Sequence, residues 1–317
     1  MRVMGEKYNK RKLRNICLLG GYHQIVAYLA GVEGGSGLLA KYRAVFEGDK
    51  CLINAKEPEV AAFLRIYEDY LKWALTHQTT TDRCKAFLLE KLQTIFAHVK
   101  DWDELQTAIV VFLEGKGYHA NFGVTAPYPT LYLWKRQKVK KMSVRLPHGI
   151  AEIDVCAMKG VVTRGWLGYL SFDKISAGGW VTATGCNYFT DKYNMLSSDF
   201  KVSLLKHEAQ HFYDLEQFPE MESADLEYRA KLVELIYHKK IQRFFGLIGG
   251  MGDEDGGDRK TNPHGHANRK IVEAMSTRSF GRPLETDQEL WKAVKKKIPA
   301  MAQKLLDEDN KRLRGEV

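Results

Sequence analysis

Residues 199–217 read DFKVSLLKHEAQHFYDLEQ, and this stretch decides how the chain is organised. Its apolar residues recur at helical spacing on both sides of one helix. Phe200, Leu204 and Leu215 mark one side; Val202, Leu205, Ala209 and Phe212 mark the other. A helix that is apolar all round lies buried between layers. Within it stand His207, Glu208 and His211. Residues four apart share a helix face, so both imidazoles can point at a single ion. Glu208 lies about 100° round from His207, within reach of a water at that ion without being a ligand. Polar groups in a buried helix need partners, and a metal ion supplies them. Chance places HExxH in a chain of this composition only ~0.02 times.

The ion that fits is Zn2+, which takes neutral imidazoles and keeps a position open for water. Zinc lowers the pKa of such a water toward neutrality, and a neighbouring carboxylate can take its proton and pass it to a leaving amine. A third ligand must come from further along. No glycine and third histidine follow His211, which argues against the metzincin arrangement. Glu227 lies far enough beyond His211 for the helix to end, turn at Pro219 and return. Glu234, two turns along the same helix edge, is its rival, while Glu220 and Glu222 fall in the turn. Asp214 shares the His207 face two turns on. It is expected either to orient a histidine through its second nitrogen or to sit on the helix surface.

HExxH at 207–211 with a glutamate on a following helix resembles the gluzincins, the thermolysin-like metallopeptidases. Glu227-Tyr228-Arg229-Ala230 also matches the ExxA pattern of their smaller relatives, and the resemblance covers about residues 180–250. It implies zinc held by His207, His211 and Glu227, and peptide hydrolysis with Glu208 as general base. It further implies a zincin-like catalytic unit of α+β type. The run Gly178–Ala183 just before the active helix reads as a strand, either an ordinary core or edge strand or one that holds an extended substrate. Asn262-Pro263-His264-Gly265-His266 opens a later helix, and His264 is a candidate catalytic donor to the oxyanion, with Tyr193 and Tyr228 as alternatives. The Gly- and Asp-rich stretch from Gly249 to Asn262 reads as a mobile loop suited to a lid.

Working outward, residues 1–118 read as a helical N-terminal region and 119–317 as the catalytic unit, β-rich over 119–196 and helical over 197–317. Pro58 suits a first helical turn, with Val60, Phe63, Leu64, Tyr67 and Leu71 following at helical spacing. Further helices are expected from Thr81 and after Asp103. Beyond the active helix, one helix should run from an N-cap at Ser223 to the glycines 249 and 250. A last helix should open with a capping box at Thr286–Glu289 and bend at Pro299.

The 317 residues suffice for one large unit or two modest ones, and a 44% hydrophobic, 27% charged composition is that of a globular protein. No run is long and apolar enough to indicate a membrane span. The five cysteines are odd in number and lack CxxC spacing, which points to reduced thiols and a cytoplasmic protein. The net charge of +9 permits nucleic acid as a partner. The basic run Lys135, Arg136, Lys138, Lys140 and Lys141 reads first as a solvated strand face and second as a nucleic-acid contact, for which no motif is present. The functional alternatives to a metallopeptidase acting on peptides or proteins are a zinc amidase with a small substrate, a nucleic-acid-associated protease and a non-catalytic metal-binding scaffold.

Overall fold

A computed structural model describes residues 6–182, 185–238, 240–251, 259–260 and 262–316. Helix and strand are both present and largely segregated along the chain, as an α+β reading requires. The chain forms two compact units. The first comprises residues 1–138 and 158–178, the second residues 139–157 and 179–317.

The first unit begins with six helices: α1 (Lys10–Leu18), α2 (Tyr22–Gly31), α3 (Ser36–Phe46), α4 (Pro58–His77), α5 (Thr81–Leu92) and α6 (Trp102–Gly115). Pro58 occupies the first turn of α4, where its missing N–H costs nothing, and Val60, Phe63, Leu64, Tyr67 and Leu71 are all fully buried. Asp101 caps α6 by accepting from the N–H groups of Asp103 and Glu104. Strand β1 (His119–Thr125) pairs antiparallel with the start of β2 (Tyr128–Arg145). The unit takes in the end of β3 (Ile150–Arg164) and the short helix α7 (Gly165–Leu170). The boundary expected at residue 118 is therefore displaced. Phe122, Tyr128, Leu131 and Leu133 share one core with the α4 residues, so the first strands belong to the helical unit. Positions 135–141 of β2 are all exposed, the solvated strand expected for the basic run.

The second unit holds the remainder of β2 and β3, followed by β4 (Gly179–Thr182) and β5 (Gly185–Phe189). Strand order is β1-β2-β3-β5-β4, which leaves β4 at an edge. Ala183 of the expected strand run lies outside the described residues. A π-helical segment, Asp199–Lys206, passes directly into α8 (His207–Gln217). There follow α9 (Ser223–Tyr237), α10 (Gln242–Gly249), α11 (Pro263–Phe280), α12 (Gln288–Val294) and α13 (Ile298–Leu313). The turn between β2 and β3 is fastened to α8. Tyr213 Oη donates to the carbonyl of His148 at 2.9 Å, and its ring lies so near Gly149 that a Cβ there would meet it at 2.5 Å.

Five local expectations are corrected. The single helix expected from 199 to 217 is π-wound in its first half. The helix expected to reach the glycines 249 and 250 stops at Tyr237 and resumes at Gln242. That break brings Arg243 back onto the Glu234 carboxylate, from which an unbroken helix would separate it by about 13 Å of axial rise. Ser223 is the first helical residue of α9 rather than its cap, which is Glu222. Asp287, not Thr286, caps α12, and Pro299 opens α13 instead of bending a longer helix. No described helix is long and apolar enough to cross a membrane.

Candidate functional site

The site lies between α8 and α9. Helix α9 has ten buried residues, Glu227, Arg229, Lys231 and Glu234 among them, so four charged side chains must find partners inside the unit. Phe200, Val202, Leu204 and Leu205 of the π-helical segment are buried just ahead of His207, while Leu215 near the end of α8 is exposed. π-Helical turns occur mostly as single-turn interruptions of α-helices, and frequently at functional sites.

His207 and His211 lie nearly edge to face, with ring centroids 4.7 Å apart. Their Nε2 atoms stand 3.7 and 3.6 Å from one oxygen, Glu227 Oε1. With metal–ligand bonds of about 2.0–2.1 Å, two ligand atoms of a regular tetrahedron stand about 3.4 Å apart. These separations are close to that edge. Glu208 Oε2 is 3.9 Å from His211 Nε2. One donor atom from each of His207, Glu208 and His211 falls within 4.8 Å of the other two. Two carboxylates thus flank the imidazoles. Glu227 is nearly equidistant from both nitrogens and suits a ligand, whereas Glu208 comes within 4.0 Å only of His211 and stands to the side.

Glu234, weighed from the sequence as a rival ligand, accepts from His207 Nδ1 at 2.8 Å. That bond places a proton on Nδ1 and leaves Nε2 facing Glu227. Asp214 orients neither histidine and is not a surface residue. It is fully buried, and Arg229 binds both its oxygens, Nε to Oδ2 at 2.9 Å and NH2 to Oδ1 at 2.8 Å. Gln210 adds a bond to Asp214 at 2.8 Å, and Arg229 NH1 reaches Asp309 of α13 at 3.0 Å. This network ties α8, α9 and α13 together and holds the helix that presents His211.

His264 is brought to the site at the first turn of α11, where Pro263 starts the helix and Asn262 caps it by accepting from Gly265 N–H. Its Nδ1 stands 2.7 Å from Glu227 Oε2, with Lys231 Nζ 3.3 Å from the same oxygen. Neither approach makes a well-aligned hydrogen bond, so this buried oxygen lacks a directed partner. The His264 side chain is 65% exposed. Residues 252–258 and Thr261 of the expected lid lie outside the described residues.

The carboxylates and imidazoles of the cluster shift one another. Burial disfavours charge on His207, but bonds to Glu227 and Glu234 override it and hold the imidazole at about 9. Burial also acts to raise Glu227, yet the three histidines around it hold it well below the ordinary carboxylate range. Glu208 is raised, by burial foremost. One carboxylate is thus kept ionised between two imidazoles while its neighbour holds its proton more tightly, the division that separates a ligand from a general base. His207, Glu208 and His211 form a group that could hold a metal ion, with Glu227 Oε1 beside both imidazoles.

Sequence reasoning missed Arg229, Lys231 and Arg243 as parts of this arrangement. For Arg229 and Lys231 the signal was present as charged residues on α9 at positions where an apolar helix would be buried. No family model, curated protein or solved structure matches this chain.

Proposed function

We propose that the chain is a zinc-dependent metallopeptidase of gluzincin type, with a zincin-like second unit, working in the cytoplasm. What carries the reading is the nearly equal reach of Glu227 Oε1 to the Nε2 atoms of His207 and His211, with Glu234 engaging the far nitrogen of His207. His207, His211 and Glu227 would hold the ion. Bound there, zinc supplies Lewis acidity toward a peptide carbonyl and toward water. Glu208 takes the proton of the attacking water and delivers it to the leaving amine, and its upward shift suits a group that must hold a proton between the two steps. Glu234 keeps His207 in one tautomer throughout. His264 stands beside Glu227 with an exposed ring and can donate to the oxyanion as it forms.

The test is metal content beside turnover of a quenched-fluorescence peptide library. The protein should carry one zinc per chain and cleave peptides. Glu208→Gln should keep the metal and lose turnover, while His207→Ala and His211→Ala lose both. Zinc retained in both histidine variants would overturn the assignment. Zinc binding with no cleavage of any peptide would overturn the peptidase reading alone.

A further inference from the structure

A second site lies in the first unit, where a pocket of about 250 Å³ opens among α1, α3 and the turn after α7. Four residues on one face of α1 line it, Lys10, Leu13, Arg14 and Cys17. Leu38 and Tyr42 of α3 form a second wall, and Phe172 and Ile175 close it from the turn with Lys174 between them. Burial sorts these residues by depth. Leu13, Cys17 and Tyr42 are buried, Leu38, Phe172 and Ile175 are half-buried, and Lys10, Arg14 and Lys174 are exposed. The floor is therefore apolar and the rim cationic.

Tyr8 also lines the pocket, and the polar groups of Tyr42 and Ser171 in its wall are already committed. Tyr42 Oη donates to the carbonyl of Leu170 at 2.9 Å and stands 3.8 Å from Cys17 Sγ. Ser171 Oγ accepts from Ile175 N–H at 2.9 Å and lies 2.7 Å from the carbonyl of Leu167. A space of this size would take about eight waters at their liquid share of about 30 Å³ each, and each needs two to four polar partners. These walls offer few, so an apolar chain fits the interior better than water does. No carboxylate lines the pocket, and among the described residues none of the three rim cations forms an ion pair. The Phe172 ring is held in the wall by two successive non-glycine residues in the left-handed region, Phe172 at φ 52° and Asp173 at φ 60°. Such a conformation persists where its surroundings impose it and is common at ligand clamps. Lys41 Nζ, 3.9 Å above the same ring, adds a fourth cation to that side.

We infer that this pocket binds a small amphipathic carboxylate, a medium-chain fatty acid anion, with its chain on Leu13, Leu38, Phe172 and Ile175 and its headgroup among Lys10, Arg14 and Lys174. The site stands apart from the proposed zinc chemistry and does not depend on it.

Calorimetric titration with decanoate, below its micellar concentration, tests the inference. It is done on the His207→Ala variant as well as the parent chain, so that carboxylate binding at a metal is excluded. Decanoate should bind saturably at one site in both proteins, and acetate and decyltrimethylammonium should not. The Lys10→Glu/Arg14→Glu double variant changes only exposed side chains and should weaken decanoate by about tenfold or more with an unchanged melting temperature. Leu38→Trp, which fills the wall, should abolish binding. Absence of saturation, equal binding of the cationic amphiphile, loss of binding only in His207→Ala, or decanoate affinity unchanged by the double charge reversal would each overturn it.

Discussion

His207 Nδ1 donates to Glu234 Oε1 across 2.8 Å, from the first residue of α8 to the last full turn of α9. Glu227, two turns earlier on α9, faces the other nitrogen of the same ring. One histidine is therefore addressed from both sides by a single helix. The two carboxylates should respond differently to removal. Glu227→Ala should lower zinc affinity by more than about a hundredfold, and Glu234→Ala by about ten- to a hundredfold, the usual cost of losing a residue that orients a metal-bound histidine. Competition against a chromogenic chelator measures both, and the reverse order would exchange their roles.

Arg229 is fully buried between Asp214 and Asp309. Arg229→Ala leaves the fully buried Asp214 without its cation, while Asp309 keeps Arg312, and should cost about 3–5 kcal/mol in urea unfolding. A loss under about 1 kcal/mol would mean that the network is not bracing α8.

His264 gives a kinetic prediction. If it donates to the oxyanion, His264→Ala should lower kcat by about a hundredfold with zinc content and melting temperature unchanged. His266, two residues further into α11, should matter less. A rise in KM with kcat intact would make His264 a substrate-binding residue.

Alkaline pH should unfold the first unit. Burial pushes Tyr42, Tyr67, Tyr70 and Tyr169 well above the ordinary tyrosine value, foremost by desolvation. Their folded-state pKa values exceed the unfolded value near 10, so both states stay protonated below that pH and the stabilisation is complete there. Above pH ~10 the unfolded chain releases protons first, and stability falls by up to about 1.4 kcal/mol per unit for each tyrosine. Urea midpoints compared at pH ~8 and ~11, with tyrosinate absorbance followed through unfolding, give the measurement. A midpoint that does not fall would show that these rings ionise in the native state.

Where structure is set by local periodicity, the sequence was a sufficient guide, although the exact caps at Ser223 and Thr286 were each one residue off. Pro58 with the apolar spacing of α4 located that helix, and the spacing of His207, Glu208 and His211 located the side chains that converge. What escaped depends on partners distant in sequence. Nothing near Asp214 announces that Arg229 will bind both its oxygens. Nothing near Tyr237 announces that the helix must break for Arg243 to return to Glu234. The π winding ahead of His207 leaves no mark in an apolar pattern that reads equally well at either pitch. The core allegiance of Leu131 and Leu133 likewise depends on α4, far earlier in the chain.

The two long strands β2 and β3 each begin in one compact unit and end in the other. Neither unit is a continuous piece of chain, so no single peptide-bond cut separates the two. On the ribosome, the first unit cannot be completed until residue 178 has emerged, and by then 139–157, which belong to the second, are already outside. The helical start of the chain must wait, partly built, while the hairpin goes out and returns. Synthesis and folding of the two halves are thereby interlocked in time.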